Sequence, residues 1–157
     1  GYLNLARLQA ASGGIDVAMK TLQQGLTADP ADAQIAVALA EAQRGRGNVD
    51  AAIATYEGVL KASPTNPVIA NNLAYVLLEH KGDKASHERA LQLALPLEAT
   101  NNAAFLDTLG WAYYKVGRYN DAARVLQRVI AAAPNEPMFQ YHLGMALFKA
   151  GKAEDGK

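Results

Sequence analysis

Asp107-Thr108-Leu109-Gly110-Trp111-Ala112-Tyr113-Tyr114-Lys115-Val116-Gly117-Arg118-Tyr119, followed by Ala122, Leu126 and Pro134, is the clearest copy of a unit that recurs along the chain. Leu5-Ala6, Leu39-Ala40, Leu73-Ala74, Leu109-Gly110 and Leu143-Gly144 occupy one equivalent place, at spacings of 34, 34, 36 and 34 residues. Gly13, Gly47, Gly117 and Gly151 mark the turn inside each unit, with Gly82 slipped by one. Ala18, Ala52, Ala90 and Ala122 open the second half-units. Pro30, Pro64 and Pro134 close them, and Asn102 stands where the third closing proline is expected. A chance helical bundle would not keep that phase. A chain that does keep it buries its core between neighbouring repeats.

The residue types explain the pattern. A small residue after each leucine lets the first helix approach its partner closely, which a larger side chain would block. Glycine at the inner turn can take positive φ and end the first helix. Proline after the second helix stops it. Helix pairs are therefore predicted at 2–12 and 15–28, 33–46 and 49–62, 67–80 and 84–98, and 103–116 and 119–132. A further first helix is expected at 137–150, and the start of a second at Lys152 to Lys157. In the third unit, Lys81 to Arg89 is expected to lengthen the inter-helix loop, and Pro96 to end or bend the second helix near Leu95.

Together these expectations describe one all-α domain over residues 1–157. It is a right-handed superhelical solenoid of antiparallel helix pairs, about four and a half repeats long. Since no polar capping helix is visible at either end, the reading includes a fragment of a longer repeat protein.

Composition narrows the function. Fifteen basic residues balance fifteen acidic ones, which argues against nucleic acid or an acidic membrane as main partner. There is no cysteine, which excludes disulfide scaffolds, thiolate catalysis and cysteine-ligated zinc. No stretch approaches the roughly 18 apolar residues that span a bilayer, so no direct membrane insertion of this segment is expected.

The sequence carries no recognisable pattern of catalytic or metal-ligating residues. His80, His87 and His142 stand in no metal-binding spacing, and His142 is expected on a semi-exposed face. Asp107-Thr108 has no histidine or lysine placed beside it by the repeat pattern, so a helix-start or groove-polar role is expected rather than catalysis. Gly13-Gly14 and Gly45-Arg46-Gly47 read as turns, since no strand precedes them and no Gly-Lys-Ser/Thr follows. The expectation is a protein that is not an enzyme and carries no cofactor or metal.

In the stretch around Leu109-Gly110, the order Leu-Gly, Tyr113, Gly117, Ala122, Leu126 and Pro134 resembles the tetratricopeptide repeat, a helix–turn–helix unit of 34 residues. The resemblance covers the whole chain. It implies a concave groove lined by the first helices, with groove-facing places at fixed offsets from the repeat's leucine. Those places are Val37, Glu41 and Arg44 in the second unit, and Asn71, Tyr75, Leu78 and Glu79 in the third. In the fourth they are Asp107, Trp111, Tyr114 and Lys115, and in the fifth Tyr141, Met145, Phe148 and Lys149. Tyr113, Phe105 and Phe139 fall where the repeat needs core bulk, which leaves Trp111, Tyr114, Tyr141, Phe148 and Tyr75 as candidates for contact with a partner. The expected site is Asn71, Tyr75, Asp107, Trp111, Tyr114, Lys115, Tyr141, Met145 and Phe148. In it, Trp111, Tyr114 and Tyr141 are the anchors, and Lys115 and Lys149 form a rim. The two-carboxylate clamp of some family members is absent, since only Asn72 matches it.

The expected function is thus a scaffold that binds a protein or peptide in the groove. The competing expectations are a structural module that stacks on further repeats or self-associates, and regulatory repeats of a larger protein. Asn71 to Glu79, Asp107 to Trp111 and Tyr141 to Leu147 also look like bacterial cell-envelope repeat lipoproteins of exosortase and exopolysaccharide systems. That likeness implies the envelope or periplasm, whereas the lack of cysteine is as compatible with cytoplasm.

Overall fold

The structure, a computed structural model, describes the backbone of residues 1–155 and the side chains of residues 1–152. Among the described residues there are nine α-helices, one 3₁₀ helix and no strand. The fold is all-α, and the chain divides into two compact units, Gly1–Leu73 and the remainder from Ala74. The first holds α1 (Tyr2–Ala11), α2 (Ile15–Ala28), α3 (Ala33–Gly45), α4 (Val49–Ala62) and the first half of α5 (Pro67–His80). The second holds the rest of α5, α6 (Lys84–Ala94), the 3₁₀ helix Leu95–Thr100, α7 (Ala103–Lys115), α8 (Tyr119–Ala132) and α9 (Pro137–Asp155).

The turns show why the phase holds. Gly14, Asn48 and Arg118 each donate a backbone N–H to the carbonyl five residues back, at 2.8, 2.9 and 2.9 Å. The residue before each is a glycine at positive φ: Gly13, Gly47 and Gly117. This bond and this conformation together satisfy carbonyls that a helix end leaves open, and only glycine takes the conformation without steric cost. The first helices α3, α5 and α7 are each opened by a side chain. The carboxylate or amide oxygens of Asp32, Asn66 and Asn102 accept from Ile35, Ile69 and Phe105 at 2.9, 3.1 and 3.2 Å. Asn102 therefore replaces no proline. It caps α7, and the proline place of that unit is Thr100.

The third unit differs from expectation in its loop. Three residues join α5 to α6, as in the other pairs. The additional length lies instead in α5, 14 residues against 13 in α3 and α7, and in the segment that follows α6. Gly82 is not among the glycines at positive φ, because side chains close this turn. Asp83 accepts from the Ser86 amide and hydroxyl, both at 2.8 Å, and His87 Nε2 lies 2.9 Å from the Lys81 carbonyl. Pro96 ends the α-helix as its chemistry requires: α6 stops at Ala94, the chain tightens to 3₁₀ geometry, and Asn101 turns out at φ 53°.

At the other end, no turn forms at Gly151. α9 continues to Asp155, because glycine permits a turn without forcing one, and its cost inside a helix is only about 1 kcal/mol. The expected second helix at Lys152 to Lys157 is thus not seen up to Asp155, and Gly156 and Lys157 lie outside the described residues.

One core cluster of the first unit is Ala6, Ala18, Leu22, Ile35 and Leu39, with Leu3, Met19 and Leu26 packed around it, and Tyr56, Val59, Ile69 and Leu73 are buried in the same unit. In the first two helix pairs, a polar contact that the repeat pattern does not reveal runs between the first helix and its partner. Thr21 Oγ1 donates to Gln9 Oε1 at 2.8 Å, and 34 residues later Thr55 Oγ1 donates to Gln43 Oε1 at 2.9 Å. The same places in the fourth repeat hold Tyr113 and Val125, both buried. Thr55→Val keeps the shape and strands the buried Gln43 amide. The expected loss is about 1–3 kcal/mol, read from the denaturation midpoint.

The second unit is built on α7 and α8. Leu109 and Leu126 are fully buried against each other's helices with Ala112, Ala122, Val125 and Val129. An ideal Cβ on Gly110 would sit 2.5 Å from Leu126 Cγ, so the small residue after the repeat's leucine is required here by contact.

Candidate functional site

Within the second unit, α7 and α9 present the aromatic residues that the sequence singles out. Their rings form a stack. Trp111 lies parallel to Tyr114, with centroids 4.5 Å apart and planes 3° apart. On its other side it lies against His142, at 4.1 Å and 17°. Tyr141 is tilted against Trp111 at 6.2 Å, and Lys115 Nζ stands 5.2 Å from the Trp111 ring centre. Trp111 is only 8% exposed, so its indole is spent on this packing. Its Nε1–H donates to Glu79 Oε1 at 3.0 Å, which ties α7 to the C-terminal end of α5.

Asp107 has a partner after all. His142 Nδ1 lies 2.9 and 3.0 Å from its two carboxylate oxygens, and both residues are buried. A carboxylate only accepts, so the ring nitrogen donates. His142 was expected on a semi-exposed face and is instead closed in by Asp107 on its edge and Trp111 on its plane. The pair holds α7 to α9. Among the described residues no three metal-capable side chains come together, and no helix is long and apolar enough to cross a membrane.

The remaining expected site residues separate into two groups. Tyr141 and Phe148 are open, 56% and 57% exposed, and Tyr75 is 42% exposed. Met145, Tyr114 and Lys115 are half-buried. Asn71 belongs to the first unit, where its amide nitrogen donates to Asn72 at 3.4 Å. Val37 and Glu41 line a separate cleft of about 780 Å³ in that unit, with Arg7, Gln34, Ala38 and Val68. Nearby, burial pushes the Tyr56 hydroxyl above the ordinary phenol range. Glu41 adds to the rise, while Arg44 and a hydrogen bond with Asn72 oppose it.

Two contacts escaped the sequence reading, and both were findable in its own register. Asp107 and His142 are 35 residues apart, and Glu79 and Trp111 are 32 apart. Each is close to one repeat, which brings neighbouring places on successive first helices together.

Comparison with known proteins agrees with this fold. The tetratricopeptide repeat family model matches residues 3–67 and 108–156. A tetratricopeptide repeat protein 30 homolog from Drosophila pseudoobscura pseudoobscura is 35% identical over 54 residues, 34% of this chain and 8% of that protein. The chain thus spans under a tenth of that relative's length. MamA 41-end from Desulfovibrio magneticus RS-1 superposes with a TM-score of 0.76 at 21% identity, covering 98% of this chain and 84% of that one. A tetratricopeptide repeat protein from Parabacteroides merdae ATCC 43184 gives 0.74 at 18% identity, covering 98% and 60%. These structural likenesses are of fold.

Proposed function

This chain belongs to the tetratricopeptide repeat family, and we propose that it is a protein-binding scaffold whose contact face lies on α7 and α9 of the second unit. Such folds serve as protein–protein interaction scaffolds in general. The observation that carries the finer reading is the division of labour among the aromatics. Trp111, His142 and Asp107 make a packed, hydrogen-bonded platform, and Tyr141 and Phe148 stand open beside it. Rigid aromatic side chains next to a pre-packed floor lose little entropy on binding, which is where interface energy concentrates. On this reading Tyr141 and Phe148 are the anchors, Tyr114 and Met145 supply half-buried area, and Trp111 and Asp107 hold the face in shape. The envelope-lipoprotein likeness adds a cell compartment to this reading and no residue to the site.

The test compares the parent chain with Tyr141→Ser/Phe148→Ser on extract from the source organism. Both residues are exposed, so the variant is expected to keep the parent's melting temperature. A protein retained by the parent alone, which then binds it in purified form, supports the reading. Equal retention by both moves the exposed rings into repeat stacking or self-association, which a size that grows with concentration would reveal.

A further inference from the structure

On α9, Tyr141, Met145, Phe148 and Lys152 follow one another at intervals of four, three and four residues, which puts them along one side of the helix. Lys152 Nζ lies 4.5 Å from the Phe148 ring centre. On α7, Lys115 stands over Trp111, and Trp111 in turn touches Tyr141. Each cation is therefore parked on the aromatic face itself.

Cations at the second helices of the same unit carry ion pairs, including Arg118, which also stands 4.7 Å from the Tyr113 ring centre. Arg118 pairs with Asp121 at 2.7 Å, Lys84 with Glu88 at 3.5 Å, and Arg124 and Arg128 with Glu98 at 3.0 and 2.9 Å. Among the described residues no such ion pair is formed by Lys115, Lys149 or Lys152. Two acids described near the face are engaged: Asp107 is closed in by His142, and Glu79 accepts from the Trp111 indole.

Resting on the reading that this face binds a partner, we propose that the partner is a peptide segment carrying acidic side chains beside large apolar ones. The apolar groups would cover Tyr141, Met145 and Phe148, and the carboxylates would meet Lys115 and Lys152. A carboxylate there gains a charge partner next to apolar surface that excludes water, where such pairing is stronger than in bulk solvent. Lys152 over the exposed Phe148 ring and Lys115 over the Trp111 ring beneath Tyr141, in a chain of zero net charge, fit a mixed acidic and apolar peptide better than a phosphate backbone, which would call for more cations in a row.

The experiment pans a library of random short peptides on the whole chain, then measures the enriched sequences as free labelled peptides by fluorescence anisotropy. The same peptides are titrated against Tyr141→Ser/Phe148→Ser and against Lys115→Glu/Lys152→Glu. A thymidine oligonucleotide serves as the nucleic-acid probe. The expected enrichment is Asp or Glu next to Phe, Trp or Leu, with affinity falling about tenfold or more in both variants. Peptides that need Tyr141 and Phe148 yet carry no acidic bias, or that bind the glutamate variant as well as the parent, overturn this proposal and leave the contact face standing. Peptides indifferent to both variants, or no enrichment at all, overturn the proposal together with the reading it rests on. Oligonucleotide binding that is lost in Tyr141→Ser/Phe148→Ser overturns the peptide assignment in favour of a single strand stacked on the rings.

Discussion

Gly110→Leu is expected to lose about 3 kcal/mol or more of stability, because the side chain has nowhere to go. A Cβ alone at Gly110 would meet Leu126 Cγ at 2.5 Å and Cδ2 at 2.7 Å. Leu126 is fully buried among Val125, Val129 and Ala122, so it can yield only by moving α8 away from α7. Overpacking of this kind typically costs 1–3 kcal/mol and sometimes more, and leucine adds three carbons beyond the Cβ. The repeat supplies its own control. Gly144 occupies the same register place in the next unit, and a Cβ there meets nothing within 4 Å. Gly144→Ala is therefore expected to be neutral, or to stabilise by up to about 1 kcal/mol through helix propensity. Denaturant titration followed through Trp111, the single tryptophan of the chain, reads the second unit directly. If Gly110→Leu unfolds at the parent's midpoint, α7 and α8 do not face each other as described.

Trp111→Ala carries the other large effect, a loss of about 3–5 kcal/mol. Truncation removes the ring held between Tyr114 and His142. It also leaves Glu79 without its indole donor and opens a cavity beside the buried Asp107–His142 pair. Trp111→Phe keeps an aromatic ring but not the N–H, and its cost is expected to be smaller, near the roughly 1.5–3 kcal/mol of a hydrogen bond to a charged group plus imperfect stacking. Circular dichroism on heating separates the two variants. A Trp111→Ala protein that melts with the parent would place the ring outside the packed stack. The prediction also settles which residues can report on binding. A variant destabilised to this degree loses a partner whether or not the ring touches it, whereas Tyr141 and Phe148 are more than half exposed and their truncation is expected to cost far less.

The architecture is legible in the residues because its causes are local and repeated. Glycine at 13, 47 and 117 and the small residue after each leucine act through backbone conformation and close approach, which recur at a fixed period. Seven of the nine helices begin and end within a residue of their sequence-based bounds; α6 and α9 are the exceptions. Where the reading fails, the cause is a specific interaction rather than a period. Asp83 and His87 close a turn that Gly82 was expected to make. Helix-forming neighbours carry α9 past Gly151. The site was legible as a list of faces and not as a set of contacts. The family offsets put Trp111 and Asp107 on the groove wall, but the length of an indole and the reach of a histidine on the next first helix decide that both are covered. Tyr141 and Phe148 stay more than half exposed, although Tyr141 leans on Trp111 and Lys152 stands over Phe148.

The central claim is that the aromatic residues divide into a packed platform and an open contact face, and the fluorescence of Trp111 tests it most directly. The account predicts a blue-shifted emission maximum and weak quenching by acrylamide in the native chain, both nearly unchanged in Tyr141→Ser/Phe148→Ser. Emission at the wavelength of a water-exposed indole, quenched as readily as the free amino acid, would contradict it and return Trp111 to the open wall of the groove.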